Sequence, residues 1–342
     1  MKTFSPVGLL CLSLLVGSLQ AQSLDQRYEA AIDAAVASAE DRLVRLRYFG
    51  DGGEALGASA APVTGWRLGG GWVLTSDYGL AQAPAAIIGR RLNGEPSRYA
   101  LVARDHSRRL VLLKEESSEP GLPPRLDTTR AARVGETAIA LGAVYSAEAA
   151  SVSVGVISAI GRHGGRSVQT DAAISPANYG GPLVGLDGAL LGVISPLAPA
   201  GMSGVEIYDS GIGFAIPPAQ FTSRLDRLAS GESIHPGWLG ASFEKGDPLR
   251  SAPRVIEAAR GGAAEAAGLA KSDTVLAIDG ELTPSVWRLR SIVSGLDAGQ
   301  RVVVSVRRAD GGRESLPLRL GKRPQQASEP TVPRQQEKPD EP

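Results

Sequence analysis

The sequence predicts a mostly β chain in which a β-barrel or β-sandwich unit is followed by a smaller α+β unit. Its 342 residues are enough for about two domains, each with its own core. The chain holds 42 glycines and 23 prolines but only 5% aromatic residues, a composition typical of many turns and short strands. Between Gly65 and Ile216, short apolar runs such as "GGWVLTS" and "GALLGVIS" alternate with Gly, Pro and Asp turns, which indicates a barrel or sandwich.

Residues 1–21 have the layout of a secretory signal peptide. Lys2 precedes the apolar run "VGLLCLSLLVG", which is too short to span a bilayer as a helix. A buried N-terminal strand is the alternative. We expect cleavage near Ala21, a periplasmic or secreted protein, and no membrane span in the mature chain. Cys11 is the only cysteine and lies in this segment, so we expect no disulfide and no thiol nucleophile after cleavage.

The remaining elements follow one another in an order that predicts the domain boundaries. Alanine-rich helical spacing comes first, then the strands, then a helix over "PPAQFTSRLDRLASGE" and the linker sequence "SIHPG". The last folded element is a hairpin that turns at Asp310-Gly311. The C-terminal tail has five prolines and few apolar residues, and this composition predicts a disordered segment. The predicted segments are an N-terminal helical segment over 22–39, a barrel domain over 40–229, a linker over 230–236, an α+β domain over 237–322 and the tail over 323–342.

Charge and motif content argue against several classes of partner. Lys and Arg number 36 and Asp and Glu also number 36, so no basic patch for nucleic acid or anionic lipid is expected. The three histidines, His106, His163 and His235, are scattered and do not have metal-ligand spacing. No phosphate-binding loop or complete dinucleotide fingerprint is present. We therefore expect no metal, no other cofactor and no nucleic-acid partner.

Four stretches in a fixed order resemble the HtrA family of exported serine proteases. They are "SVSVGVISAIGR", "TDAAISPANYGGPLVGLDG", "GIGFAIP" and "AAEAAGLAKSDTVLAIDGE". The resemblance extends from about residue 40 to residue 322. It implies a chymotrypsin-like double β-barrel followed by an α+β PDZ domain, and it implies a homotrimer because members of the family commonly assemble as trimers.

The resemblance also identifies the positions of the family's catalytic residues, and all three are changed. The family uses a histidine base, an aspartate that orients it and a serine nucleophile. Here "VLTSDY" places Tyr78 at the base, "RLVLLK" places Arg109 at the aspartate, and "ANYGGP" places Tyr179 at the nucleophile. A phenol has an ordinary pKa of about 10 and does not accept a proton at neutral pH as an imidazole does. These changes predict a chain that is not an enzyme.

Other side chains near these motifs are weaker candidates for catalysis. We interpret Ser175 and Ser76 as turn or strand-end hydroxyls that bond to the backbone, and His106 as an exposed loop residue. Tyr78, Arg109 and Tyr179 have two interpretations that remain open. They either fill the space of a decayed triad or form a new ligand site in which Arg109 lies over a ring or binds a carboxylate.

The PDZ part keeps the residues that would hold a peptide. In this fold the amides of a short loop hold a C-terminal carboxylate, and the peptide adds as a strand beside a helix. The segment "GWLG" matches that loop, and two apolar residues three apart on "VWRLRSIVSGL" are expected to face the groove, unless both belong to the core. "KSD" at 271–273 departs from the family, which commonly has a glycine before the aspartate. The predicted peptide-binding residues are Gly237, Trp238, Leu239, Gly240, Leu289 and Ile292.

The function predicted from these residues is that of an exported HtrA-like pseudoprotease that binds peptides or proteins as a scaffold or regulator. Its expected partners are C-terminal peptides, unfolded proteins or envelope proteins. The alternative is an active serine-type endopeptidase of the HtrA family with a non-standard catalytic site. In a third hypothesis the chain assembles with an active HtrA relative and modulates it.

Overall fold

The computed structural model describes residues 23–50, 62–80, 84–197 and 211–323. The predicted signal peptide, residues 1–21, and the tail beyond Arg323 lie outside the described residues. Among the described residues, no helix is both long and apolar enough to cross a membrane.

Two closed six-stranded antiparallel barrels confirm the predicted mostly β, double-barrel fold class. The first barrel has the strand order β1-β2-β3-β6-β5-β4 and the second has the order β10-β11-β12-β9-β8-β7. The strands of the first are β1 (Leu43–Phe49), β2 (Val63–Gly69), β3 (Trp72–Ser76), β4 (Ala86–Arg91), β5 (Pro96–Asp105) and β6 (Leu110–Glu115). The strands of the second are β7 (Thr137–Gly142), β8 (Ser151–Gly161), β9 (Ser167–Thr170), β10 (Pro182–Val184), β11 (Leu190–Ile194) and β12 (Gly213–Ile216).

Helix α1 (Leu24–Glu40) precedes the first barrel in the chain and contacts β7 of the second barrel. Its first turn is closed by a capping box, because the hydroxyl of Ser23 accepts from the N–H of Gln26 while the Gln26 side chain accepts from the N–H of Ser23. The helix buries Ala35 and Ala39 against the core that lies between the two barrels. Small side chains on this face let the helix approach the barrels closely.

The predicted helix over "PPAQFTSRLDRLASGE" is wrong as a single element. The segment divides into α3 (Pro218–Phe221), a 3-10 turn at Thr222–Arg224, and α4 (Leu225–Ala229). At the break, Phe221 has φ −123°, far from helical values. The side chain of Thr222 donates to the carbonyl of Pro218 at 2.8 Å and so competes with the helical backbone bond there. The buried Phe221, Leu225 and Leu228 set this broken path, because all three belong to the core between the barrels.

The second unit is the expected compact α+β domain. Its four-stranded sheet has the order β17-β16-β18-β19, and two short sheets pair β13 with β20 and β14 with β15. Helix α6 packs over a core of buried Leu and Val residues. The elements of this domain are β13 (Gly237–Trp238), β14 (Ala241–Phe243), β15 (Val255–Ala258), α5 (Ala263–Ala266), β16 (Thr274–Ile278), β17 (Glu281–Leu282), α6 (Val286–Gly295), β18 (Arg301–Arg307), β19 (Arg313–Arg319) and β20 (Gly321–Lys322). In the second barrel, between β8 and β9, the single turn Arg162–Gly165 is labelled α2.

The predicted linker is anchored to the barrel domain along part of its length. Ile234 is 1% exposed, its N–H donates to the carbonyl of Arg104 at 2.8 Å, and its carbonyl accepts from the N–H of His106 at 2.9 Å. On the other side, Pro236 forms a backbone bridge with Asp297 of the α+β domain. The connection therefore fixes the two domains against each other.

A cluster of charged side chains fills the junction between the domains. The fully buried Arg108 donates to Asp105 at 3.0 Å and lies 3.6 Å from Asp297 across the junction. Asp297 also pairs with Arg224 at 3.1 Å and with Arg227 at 2.9 Å. Nε and Nη2 of Arg108 have no hydrogen-bond partner within the described residues. Burying a charged guanidinium with incomplete hydrogen bonding costs free energy, and the carboxylates of Asp105 and Asp297 offset that cost for Arg108.

We predict that Asp297→Asn lowers the free energy of unfolding by about 2 kcal/mol, because it removes the charge that three arginines share. Urea unfolding followed by circular dichroism measures the change. Asp310→Asn, in the exposed hairpin turn, is the matched control and should change the free energy by less than about 0.5 kcal/mol. Equal stabilities of the two variants would contradict the importance assigned to Asp297.

Candidate functional site

The cleft between the barrels contains two tyrosines in contact. Tyr78 follows β3 and Tyr179 follows a 3-10 turn at Pro176–Asn178, and their ring centroids are 5.2 Å apart at an interplanar angle of 57°. The half-buried Tyr78 packs against the apolar cores of both barrels, and Tyr179 belongs to the core of the second. The pair therefore closes the space where the two cores meet.

Burial changes the acidity of Tyr179. Its side chain is 4% exposed. Burial, together with the nearby Tyr78 hydroxyl, raises the pKa of Tyr179, whereas the charge of Arg109 lowers it by a smaller amount. The Tyr179 hydroxyl consequently keeps its proton at neutral pH and cannot act there as a phenolate nucleophile or base.

Arg109 is held by its own neighbours rather than by the tyrosines. Its Nε donates to the carboxylate of Asp77 at 2.9 Å, and its Nη1 donates to the carbonyl of Pro196 at 2.6 Å. The backbone supports the same pair, since the N–H of Asp77 donates to the carbonyl of Arg109 at 3.0 Å. Of the two open interpretations, this geometry matches a space-filling tyrosine pair beside an arginine that binds an internal carboxylate.

The backbone donors next to Tyr179 are already occupied. Trypsin-like sites bind the oxyanion with the N–H of the nucleophile and the N–H two residues earlier, which here belong to Tyr179 and Ala177. The N–H of Tyr179 donates to the carbonyl of Pro176 at 3.2 Å, and that of Ala177 donates to the hydroxyl of Ser175 at 3.3 Å. A third bond, from the N–H of Ser175 to the side-chain oxygen of Asn178, closes the turn. The turn must rearrange before these donors can bind a substrate carbonyl.

The alternative hydroxyls near the cleft are also bonded. Ser76 is fully buried and accepts from the N–H of Tyr78 at 3.4 Å. Ser175 caps the 3-10 turn. Ser195, which the sequence reasoning did not single out, donates to the carbonyl of Arg108 at 2.9 Å. Each of these serines has a structural bond.

The histidines are not isolated, which corrects the interpretation of His163 and His235 as scattered side chains. The rings of His106 and His235 stack at 4.3 Å and 10° across the domain junction, and burial lowers the pKa of both. The Nδ1 of His163 lies 2.8 Å from the hydroxyl of the buried Ser167, and its ring edge contacts Phe214. In the described ranges, no cluster of three His, Cys, Asp or Glu side chains could hold a metal ion.

A groove runs along the α+β domain between β14 and α6. Gly237, Trp238, Leu239 and Gly240 line it on one side, as the sequence predicts, in a cavity of about 670 Å³. Gly240 has φ +77°, a left-handed conformation that glycine adopts without strain. Among the described residues, the N–H groups of Leu239 and Gly240 donate to no turn or loop carbonyl. These two N–H groups can therefore donate hydrogen bonds to an anionic ligand.

The helix side of the groove differs from the prediction at one residue. Leu289 and Val293, four apart on α6, line the groove, whereas Ile292 lines a separate cavity between α6 and the second barrel. A 3.6-residue period allows either a three-residue or a four-residue spacing on one face, and packing against the core selected the latter. Val293 is thus the groove residue that the sequence reasoning missed, although it lies in the same apolar pattern.

Comparison with known proteins matches both domains. Residues 63–193 match the trypsin-like peptidase domain and residues 237–320 match the PDZ domain. A probable periplasmic serine endoprotease, DegP-like, from Ectopseudomonas mendocina is 30% identical over 275 residues, which cover 76% of this chain and 56% of the relative. A protein of the same name from Chlamydia muridarum is 35% identical over 189 residues, which cover 51% of this chain and 37% of the relative. The chain thus spans less than two thirds of the length of these curated relatives.

Solved structures show the same arrangement of domains. The serine endoprotease from Yersinia pestis has a TM-score of 0.64 at 26% identity, covering 85% of this chain and 98% of that one. The HtrA-type protease AlgW with tripeptide has a TM-score of 0.66 at 26% identity, covering 85% of this chain and 97% of that one. The chain therefore combines a trypsin-like peptidase domain with a PDZ domain, as HtrA-type proteases do.

These relatives contradict the prediction that the chain is not an enzyme. That prediction rested on Tyr78, Arg109 and Tyr179 alone, whereas the curated relatives are named serine endoproteases. Replacement at three motif positions therefore does not by itself establish a loss of activity in a chain of this family type.

The raised pKa of Tyr179 predicts a loss of stability at alkaline pH. A phenol that ionises less readily in the folded state stabilises the fold fully below pH 10, and that contribution falls as pH rises through the folded-state pKa. Burial also raises the pKa of Tyr99 to about 12 and that of Tyr48 further, so these residues add to the same trend.

We predict that Tyr179→Phe reduces the decrease in unfolding free energy between about pH 9 and pH 11 by up to about 1 kcal/mol. Urea denaturation at the two pH values measures it. Tyr145→Phe is the control, because Tyr145 is 76% exposed. An identical pH dependence in wild type and Tyr179→Phe would show that Tyr179 ionises normally.

Proposed function

We propose that this chain binds polypeptides by their C-terminal ends in the groove between β14 and α6. The observation that carries the proposal is the pair of backbone donors at Leu239 and Gly240, which line the groove together with apolar side chains. A terminal carboxylate is the ligand that two adjacent amides and a left-handed glycine suit best.

The rest of the groove fits an extended peptide. Strand β14 pairs with β15 on one edge only, so its other edge has no partner strand among the described strands and is available for β-augmentation. Leu239, Phe243, Leu289 and Val293 supply an apolar wall for the side chain of the last residue. One strand and one pocket bury less than a standard interface, so we expect a dissociation constant on the order of micromolar.

The similar structures support peptide binding. Two of them are HtrA-type proteases described as AlgW with tripeptide and AlgW with decapeptide. The names of the relatives also support a periplasmic location. Export through the predicted signal peptide, a homotrimer, and partnership with an active relative remain predictions.

We predict that peptides with a free C-terminal carboxylate and an apolar last residue bind the chain, and that amidated peptides bind at least about tenfold more weakly because the anion is lost. Gly240→Asp should weaken binding of the free acid by placing a negative charge against the carboxylate. Fluorescence anisotropy with labelled peptides measures both effects.

Gly240→Asn is the matched control, since Asn and Asp both tolerate the left-handed conformation and differ here in charge. Equal affinities for the amidated and free-acid peptides would overturn carboxylate capture. Equal weakening by Asn and Asp would assign the effect to shape instead.

A second candidate function is hydrolysis of peptide bonds by a serine-type endopeptidase with a non-standard catalytic site. The names of the curated relatives support it. Because the Tyr179 hydroxyl stays protonated at neutral pH, this candidate requires another nucleophile. The contact between Ser167 and His163 is of the type that activates a serine, but Ser167 is 1% exposed, so a substrate reaches it only after a local rearrangement.

Hydrolysis by this route predicts that the purified chain cleaves casein and that a fluorophosphonate labels one serine, which peptide mass spectrometry identifies. Tyr179→Phe should keep the activity within about twofold, because a protonated phenol is not the nucleophile. Substituting the labelled serine with Ala should abolish both signals. Intact casein together with an unlabelled chain would exclude this candidate and leave the peptide-binding proposal in place.

A further inference from the structure

We infer that the peptides taken by this groove carry Asp or Glu side chains upstream of the apolar last residue. The inference rests on the proposed peptide-binding function and specifies its ligand class. It follows from the side chains that complete the groove, several of which belong to the barrel domain.

The groove is shared between the two domains. His106, Ser107, Arg109, Arg166 and Leu197 of the barrel domain line the same cavity as β14 and α6. The anchored linker and the Arg108–Asp297 contact hold the barrel domain in this position. A peptide that lies along β14 therefore has barrel side chains within the same cavity, opposite the wall formed by the PDZ domain.

The charged residues of the groove all have the same sign. Arg109, Arg166, Arg290 and Arg323 line it, and no Asp or Glu does so within the described residues. The whole chain has no net charge, so this concentration of arginine is a local feature. A groove lined with one sign of charge attracts the opposite sign and repels its own.

Among the four arginines, Arg166 is the one that a carboxylate of a bound peptide would stabilise most. Its Nε donates to the carbonyl of His163 at 2.7 Å and its Nη1 donates to the carbonyl of Ser107 at 2.8 Å, so both described acceptors are neutral. Burial and the neighbouring Arg108 lower the pKa of Arg166, and the carboxylate of Asp105 offsets only part of this effect, so holding the charge there is costly. A carboxylate from a peptide would reduce that cost.

The other three arginines contribute differently. Arg109 already pairs with Asp77, which reduces its attraction for a ligand. Arg290 and Arg323 are exposed, and water and salt screen and weaken a single ion pair at such positions. The preference for acidic peptides should therefore come mainly from Arg166, with Arg290 adding a smaller part.

The experiment compares three peptides of one length and one apolar last residue on the full chain. The first has Glu at the upstream positions, the second has Lys there, and the third is the Glu peptide with an amidated C-terminus. At about 50 mM salt we expect the Glu peptide to bind about tenfold more tightly than the Lys peptide, and this ratio should fall at about 500 mM salt.

Substitutions assign the preference to residues. Arg166→Gln combined with Arg290→Gln should reduce the Glu-to-Lys ratio to about twofold or less, whereas Arg301→Gln, exposed on β18 outside the groove, should leave it unchanged. Thermal unfolding checks that each variant is folded. Arg166→Gln alone tests the main contributor if the double variant does not fold, and it should lower the Glu-to-Lys ratio more than Arg290→Gln alone does.

The outcomes separate this inference from the proposed function. Equal binding of the Glu and Lys peptides, with loss of binding on amidation, would overturn the acidic preference and leave carboxylate capture intact. Equal binding of all three would overturn both. A Glu preference that Arg166→Gln and Arg290→Gln leave unchanged would overturn the assignment to these arginines.

Discussion

The position of the two domains depends on the burial of one guanidinium. Arg108 is fully buried, where an unpaired charge would cost several kcal/mol, so the fold must place carboxylates beside it. Asp105 ends β5, three residues before Arg108, but Asp297 comes from the PDZ domain and brings Arg224 and Arg227 into the same cluster. The PDZ domain therefore docks on the barrels at one orientation, and the shared groove exists because of that docking.

The cleft between the barrels shows how far side-chain chemistry alone supports a conclusion about activity. Tyr179 is buried against Tyr78 with its proton retained, and the neighbouring amides bond within their own turn. These features disfavour the usual serine mechanism at this position, whereas the relatives are named serine endoproteases. The two findings are compatible only if hydrolysis uses a hydroxyl other than that of Tyr179 and if the turn at Pro176–Asn178 rearranges.

The proposed peptide-binding groove lies close to the cleft between the barrels, because both include Arg109 or its partner Asp77. Arg109 lines the groove, and its guanidinium pairs with Asp77, the residue before Tyr78. Arg109 is therefore a residue that the groove and the surroundings of Tyr78 have in common.

The sequence alone determined the elements whose signals are local. Gly and Pro spacing indicated a barrel or sandwich, and Asp310-Gly311 marked the hairpin, because turn and strand preferences act over a few residues. The loop "GWLG" was assigned by resemblance to a family motif. Only the tertiary structure decided the break at Phe221, the face of α6 that carries Val293, the stacking of His106 on His235 and the arginine lining of the groove. Each of these depends on contacts between residues far apart in the chain, where burial and charge pairing override local preference.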